Sequence, residues 1–334
     1  PVGLISTEID PILGQGSYEY DLAGNLLSYT KPNGAVWRYS YNEYDRRTSK
    51  RDPLNNETTF EYDIAGNLSK ITDPKGQITQ YTVDNLNRVI SVLYDDAELV
   101  DLSYDLNGNR TGISSRHATL TYEYDALNRP QRITNSSIQR QLSFTYTPNG
   151  MRESLTLRNL NNSVEKTSTY AWDSRNRIQR ITPWTGSPIG YVYNPDNTVK
   201  SATYPNGISA EYAYDGLGRL QSVVQKRDAN VLLSMAYAYD NSDNRIAVTD
   251  SEGTSEFEYD DLNRLIRADY PDGSFESFTY DAIGRRTSRT DASGTTSYTY
   301  DIADKLTSTS GSHNATYQYD ANGNCIHKSD SNGT

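Results

Sequence analysis

Aliphatic side chains are scarce in this 334-residue sequence: 25 Leu, 19 Ile, 13 Val and 5 Phe make up less than a fifth of it. At that level a chain approaches the limit where it buries too little apolar surface to fold. The high charge that usually accompanies disorder is also missing, since 43 acidic against 32 basic residues give a net charge of only −11. No stretch nears the roughly 20 apolar residues of a membrane-spanning helix, so no membrane span is expected. The single cysteine, Cys325, excludes an internal disulfide framework and any multi-cysteine metal site. The three histidines, His117, His313 and His327, show no metal-ligand spacing. A net acidic chain argues against a nucleic-acid partner. Pro1-Val2-Gly3-Leu4 offers neither an initiator Met nor a signal segment, so the chain reads as a piece of something longer.

What the sequence has in excess is tyrosine, 28 residues. Tyrosine favours strands and tolerates one buried and one wet side. Its placement is periodic. Tyr-Asp, or a close variant, recurs 15 times, with the Tyr position held by Tyr20, Tyr41, Tyr62, Val83, Tyr104, Tyr124, Tyr146, Trp172, Tyr193, Tyr214, Tyr239, Tyr259, Tyr280, Tyr300 and Tyr319. The spacing stays near 21 residues except in two longer copies. A second ring lies two residues earlier, as in Tyr18, Phe60 and Tyr122, and a spacing of two puts both rings on one face of a strand. The residue after the Tyr position is Asp in 12 copies, among them Asp21, Asp63, Asp125, Asp260 and Asp281. Three residues further on stands Gly, Asn or Asp in every copy, for example Gly24, Gly66, Asn128, Asn263 and Gly284. These residue types accept a left-handed backbone, so the column predicts a tight reversal.

A second reversal follows about half a repeat later, as in Pro32-Asn33-Gly34, Asp73-Pro74-Lys75-Gly76 and Pro271-Asp272-Gly273. Each copy therefore reads strand, turn, strand, turn, with no helical periodicity. Leu265 to Tyr270 is one expected strand and Ser274 to Tyr280 its return. The expected fold class is all-β: a repetitive antiparallel β-hairpin ribbon curling into a hollow spiral, a solenoid-like shell. Residues 1–17 form a lead-in, 18–330 about fifteen repeats in one continuous shell, and 331–334 a truncated tail. Thirty strands at about 4.8 Å make a ribbon of roughly 140 Å. Its end strands would expose unpaired backbone and are candidates for self-association. Ladders of stacked rings between neighbouring hairpins are the expected source of stability.

The pattern resembles the RHS or YD-repeat family, through Tyr122-Glu123-Tyr124-Asp125-Ala126-Leu127-Asn128-Arg129, Phe257-Glu258-Tyr259-Asp260-Asp261-Leu262-Asn263-Arg264 and Phe278-Thr279-Tyr280-Asp281-Ala282-Ile283-Gly284-Arg285. The resemblance covers residues 18 to 330. The family includes bacterial RHS polymorphic toxins, the B and C components of insecticidal toxin complexes, and teneurins. The resemblance implies a hollow shell which, in bacterial members, encloses a toxic C-terminal segment. It also implies a secreted or cell-surface bacterial protein. Bacterial members usually carry a Pro- and Gly-rich core segment with self-cleaving aspartates after the repeats. This sequence ends at Ser331-Asn332-Gly333-Thr334 without one, which leaves the wall-building role as the expectation.

Sharper readings compete with bland ones. Repeated Asp and Gly also mark some calcium solenoids. With one acidic residue per turn and no dense carboxylate cluster, the turn-forming role is favoured. The basic residue after the left-handed position, as in Arg46, Arg129 and Arg264, reads as a ladder of Arg–Asp contacts between adjacent turns. A charged wall facing cargo is the alternative. Trp37, Tyr44, Trp184 and Tyr204 lie outside or beside the regular columns and are the candidate glycan or partner contacts. No catalytic constellation is legible. The two longer repeats, around 147–172 and 215–239, are read as loops rather than a hidden enzyme site. The leading expectation is a non-enzymatic shell module without cofactor, enclosing or scaffolding a toxin or other cargo, its partner being that cargo or the rest of the parent polypeptide. A carbohydrate-binding or adhesive module, partnered by a cell-surface glycan, is the rival.

Overall fold

The computed structural model describes residues 4–10 and 14–330. The tail assigned to 331–334, and parts of the lead-in, lie outside the described residues. Among the described residues all regular structure is strand, and the 31 strands form one antiparallel sheet. Strands pair with their neighbours in the chain. Thr7–Asp10 pairs with Gly14–Tyr20, which pairs with Leu26–Thr30, which pairs with Val36–Tyr41. Each Tyr-Asp copy closes one hairpin, from Gly14–Tyr20 with Leu26–Thr30 to Ala315–Tyr319 with Cys325–Asp330. The repeat count thus accounts for every strand but one, the extra strand Thr7–Asp10 ahead of the first copy. The strands expected around Pro271 run Leu265–Asp269 and Phe275–Tyr280, each within a residue of the sequence reading.

The two longer copies correct an expectation. Their additional residues do not form loops. They lengthen the hairpins to Arg152–Asn159 with Val164–Trp172, and to Leu220–Arg227 with Asn230–Tyr239. Pairing in the second continues to Arg227 opposite Asn230, right at the turn. Backbone amides and carbonyls that a loop would leave to solvent are paired in a ladder instead.

The chain divides into two compact units, residues 99–257 and a unit made of residues 1–98 with 258–334. In the second of these, N-terminal hairpins lie beside C-terminal ones along a polar seam. Lys31 Nζ meets Asp304 Oδ2 at 2.6 Å, and Asn33 Nδ2 donates to the other oxygen of Asp304 at 3.2 Å. Asn322 Nδ2 donates to Asp73 Oδ2 at 2.6 Å, and Lys75 Nζ lies 3.3 Å from Asp320. The seam joins unlike rows. Turns of the Pro-Gly type in the N-terminal hairpins meet Tyr-Asp turns in the C-terminal ones.

No large side chain is fully buried among the described residues. The buried apolar positions are Ala35, Ala202, Ala210, Ala268 and Ala315, joined by polar Ser28, Gln141, Thr156, Thr296 and Thr309. Strands such as Leu99–Tyr104 and Thr119–Tyr124 alternate exposed and half-buried residues, with the rings on the half-buried face. This is what one sheet layer allows, since a deep core needs a second layer. The expected ring-on-ring ladders are largely replaced by another partner. Tyr18 stacks on Tyr29 at 4.8 Å, whereas rings such as Tyr146 and Tyr193 are covered by arginine.

Candidate functional site

The chemistry-bearing residues of this chain gather in the Tyr-Asp turns, whose backbone the sequence sets. In the turn at Asp125, Asn128 N donates to Asp125 O at 3.0 Å, and Asp125 N donates to Arg129 O at 2.9 Å. The register slips by one residue at the Tyr, so that Tyr124 faces Pro130 where Glu123 faces Arg132. This is a type I turn closed by a bulge residue in the left-handed region. All fifteen residues of that column have positive φ, among them Gly24 at 96°, Gly66 at 93°, Asn128 at 59°, Asn263 at 58° and Gly284 at 87°.

The Asp carboxylate holds the turn together. Asp125 Oδ1 accepts from Leu127 N and Arg129 N, at 2.9 and 3.0 Å, and Oδ2 accepts from Arg129 Nε at 2.7 Å. Asp260 and Asp281 do the same with Arg264 and Arg285. Asp21 and Asp63 use Asn25 and Asn67 as the side-chain donor. In Asp84, Asp125 and Asp215 the arginine side-chain donor, helped by the backbone amides, holds the carboxyl below its ordinary value. The Arg–Asp contact therefore lies first within one turn. The expected ladder between turns is made by the arginine's remaining nitrogen.

That guanidinium reaches into the next copy. Arg177 Nη1 donates to Asn197 Oδ1 at 2.9 Å, and Arg219 Nη1 donates to Asp243 Oδ1 at 2.7 Å. The same group covers the next Tyr ring. Arg129 stands 4.4 Å from the centre of Tyr146, Arg177 4.4 Å from Tyr193, and Arg264 4.7 Å from Tyr280. The tyrosine of the next copy then donates back to the earlier one. Tyr62, Tyr124, Tyr193 and Tyr280 each donate their hydroxyl to a backbone carbonyl there, those of Arg47, Arg110, Ile178 and Leu265, at 2.8 to 2.9 Å. Trp172 keeps the bond with its indole N–H on Arg152 O at 2.8 Å. Burial pushes the phenols of Tyr124, Tyr193 and Tyr280 above their ordinary value. Where the repeat carries arginine, Asp, Arg and the next Tyr form a clasp that joins the copy to its successor.

A shorter version uses asparagine. Asn25 Nδ2 donates to Asp21 at 2.9 Å and onward to Asp45 at 2.7 Å. Asn67 and Asn109 reach Asn87 and Asn128 in the same way. The short amide needs a side chain at the next left-handed position to meet it. The long guanidinium of Arg46 instead lies where a Cβ on Gly66 would stand. This pairing of column identities is a signal in the sequence that the turn reading alone misses.

The four candidate contact residues are divided between the two units. Trp37 lies in the strand Val36–Tyr41 and Tyr44 in the turn after it, while Trp184 and Tyr204 sit in turns of the other unit. Lys50 Nζ stands 4.7 Å from the Trp37 ring, Arg46 5.2 Å from Tyr44 and Lys166 4.0 Å from Trp184. Burial, with the neighbouring Tyr204 as a smaller cause, pushes Tyr212 up to about 12. The cations occupy ring faces that a sugar would stack on. Among the described residues no group of three or more His, Cys, Asp or Glu is placed to hold a metal.

Comparison with known proteins matches the RHS repeat at residues 20–56, 41–78 and 280–315, and the teneurin YD-shell at residues 141–287. Together these matches span more than half of the chain. No curated protein matches. The crystal structure of a TcdB2–TccC3–Cdc42 complex covers 95% of this chain at 14% identity, with a TM-score of 0.69. That of TcdB2–TccC3 without its hypervariable C-terminal region covers 95% at 14% identity, with a TM-score of 0.61. The chain spans about a fifth of the length of these relatives, 22% and 21%.

Proposed function

We propose, from the premise that this chain belongs to the RHS/YD-repeat family, that it is a non-enzymatic wall segment of a secreted bacterial protein. Its work is physical: a continuous hydrogen-bonded sheet stands between solvent and a toxin or other cargo that the parent polypeptide supplies. The observation that carries this reading is the clasp. In the copies that carry arginine, the arginine, aspartate and tyrosine side chains are engaged with one another, as at Asp125, Arg129 and Tyr146. A reactive site would single out one copy, whereas a wall needs every copy joined to the next. The low-identity likeness to TcdB2–TccC3 supports the fold of such a segment.

Electron microscopy of the purified chain tests the reading. Curved, thin-walled particles with an interior void are expected. A flat strip or a filled particle overturns it. A second arm uses the chain carrying a protease-sensitive peptide fused at its C-terminus within a longer YD-repeat protein. Protection of that peptide, lost when the sheet is unfolded by urea, is the expected result.

A further inference from the structure

In unit 99–257 the long hairpin Leu220–Arg227 with Asn230–Tyr239 outreaches the strand that follows it. Arg245–Thr249 pairs with the inner part of Asn230–Tyr239 only, from Tyr239 opposite Arg245 to Ala236 opposite Thr249. The chain then turns back through Asp250, Ser251, Glu252 and Gly253, with Asp250 N donating to Gly253 O at 2.9 Å. Residues 230–235 are therefore paired along one side, to residues 223–227. Along their other side, among the described residues, no strand meets them. This free edge lies far from either end of the chain.

An unpaired strand side is a row of amides and carbonyls shaped to take another strand, and proteins blunt such edges with charge. The other long hairpin is blunted in this way. Its strand Val164–Trp172 pairs onward only from Thr169, so residues 164–168 are the corresponding stretch. There Glu165 meets Arg140 at 3.1 Å, and Lys166 stands 4.0 Å from the Trp184 ring. Residues 230–235, Asn-Val-Leu-Leu-Ser-Met, carry no charge. Val231 and Leu232 are 57% and 50% exposed. Leu232 is a bulge residue, lying between Val231 opposite Lys226 and Leu233 opposite Gln225.

We propose that this edge is a docking site for an extended peptide segment of a partner, added as one further antiparallel strand. The edge selects the segment's chemistry. Its wall is uncharged and aliphatic and offers about 20 Å of open backbone, which suits uncharged β-branched residues. The floor of the notch is acidic, because Asp250 and Glu252 are exposed in the turn that closes it. An added antiparallel strand runs in the direction of Arg245–Thr249, so its N-terminal end lies against that turn. The segment recognised opens with Lys or Arg and continues with uncharged β-branched residues.

Fluorescence anisotropy of a labelled peptide, Arg-Thr-Val-Thr-Val-Thr, tests the proposal on the full chain. Saturable binding is expected, with amide exchange slowed at residues 230–235. The same composition with Arg last, and a version with Pro at the third and fourth positions, should each bind about tenfold more weakly. These two comparisons use the unaltered protein. Asp250→Asn/Glu252→Gln keeps the acceptor that Asp250 Oδ1 offers to Glu252 N. It should weaken the Arg-first peptide about fivefold and leave a Ser-first peptide unchanged. Val231→Lys/Leu232→Lys should abolish binding, while circular dichroism and the melting midpoint match wild type, since both side chains are exposed. Absence of binding to the unaltered chain overturns the proposal, as does binding that ignores peptide order and proline or persists in the lysine variant. Protection of residues 230–235 that appears without peptide and rises with protein concentration also overturns it, because a second copy then takes the edge.

Discussion

Arg177 lies 4.4 Å from the ring centre of Tyr193, and the hydroxyl of that same tyrosine donates at 2.8 Å to the carbonyl of Ile178, the residue after the arginine. One side chain is gripped at two points by one dipeptide of the preceding copy. The ring accepts the cation and the carbonyl accepts the proton.

Removing these points separately should give separable losses. Tyr193→Phe keeps the ring under Arg177 and loses the hydrogen bond, for an expected cost of about 1 kcal/mol. Tyr193→Leu loses both and is expected to cost about 2 kcal/mol. Urea-denaturation midpoints measure the difference. Equal losses in the two variants would show that the cation–ring contact contributes nothing.

Two glycines with nearly the same backbone provide a second comparison. Gly66 and Gly76 have φ of 93° and 84°, so alanine is strained at either. A Cβ at Gly76 meets nothing within 4 Å, whereas at Gly66 it falls on the Arg46 guanidinium. Gly76→Ala is expected to cost about 1 kcal/mol, the conformational part alone. Gly66→Ala should cost about 2 kcal/mol, because Arg46 must also leave its position over Tyr62. Thermal melts of the two variants side by side check the order.

Stability should fall at both ends of the pH scale. Asp84, Asp125 and Asp215 titrate lower in the fold than the roughly 3.9 of a free aspartate. Their contribution is present above about pH 4 and is lost as pH drops through the folded values. Tyr124, Tyr193 and Tyr280 titrate higher than the roughly 10 of a free phenol. Their contribution is whole below pH 10 and is lost as pH rises beyond it, when the donated proton is removed. Denaturation midpoints from pH 3 to 11 should show a plateau between two falling limbs. A Tyr280→Phe variant should have a shallower alkaline limb.

The seam is a local structure and should fail locally. Lys31→Glu places two carboxylates together at Asp304. Hydrogen exchange is expected to speed up around Leu26–Thr30, Val36–Tyr41 and Leu306–Gly311, with no change in residues 99–257. Raising salt should narrow the gap to wild type, since the added repulsion is screened.

The strands and turns were legible because each repeat restates the same local rules. Tyr122 and Tyr124 share a face by a spacing of two, and Asn128 tolerates the bulge that Asp125 opens. Turns without such residues were not legible: Ala97 and Gln139 adopt positive φ where no residue type announces it. The direction of Arg129 was hidden for a different reason. Its charge suggested a carboxylate partner, and it has one in Asp125, yet its planar face also covers Tyr146, twenty-two positions from Tyr124 along the repeat. The seam between Lys31 and Asp304 depends on how far the sheet turns over many hairpins, and no single copy encodes that.

The alanine-sized interior has a consequence for how such a chain changes over time. A globular protein concentrates its vulnerability in a few large buried side chains, where one truncation leaves a cavity and costs 2–5 kcal/mol. With Ala35, Ala202, Ala210, Ala268 and Ala315 as the buried apolar residues, that kind of single-point failure has no address among the described residues. Away from the seam, the contacts of a substituted residue lie within one hairpin and its two neighbours. The length of the sheet can then grow or shrink by whole copies without redesigning anything in between, provided that each new tyrosine finds a carbonyl and a cation in the copy before it.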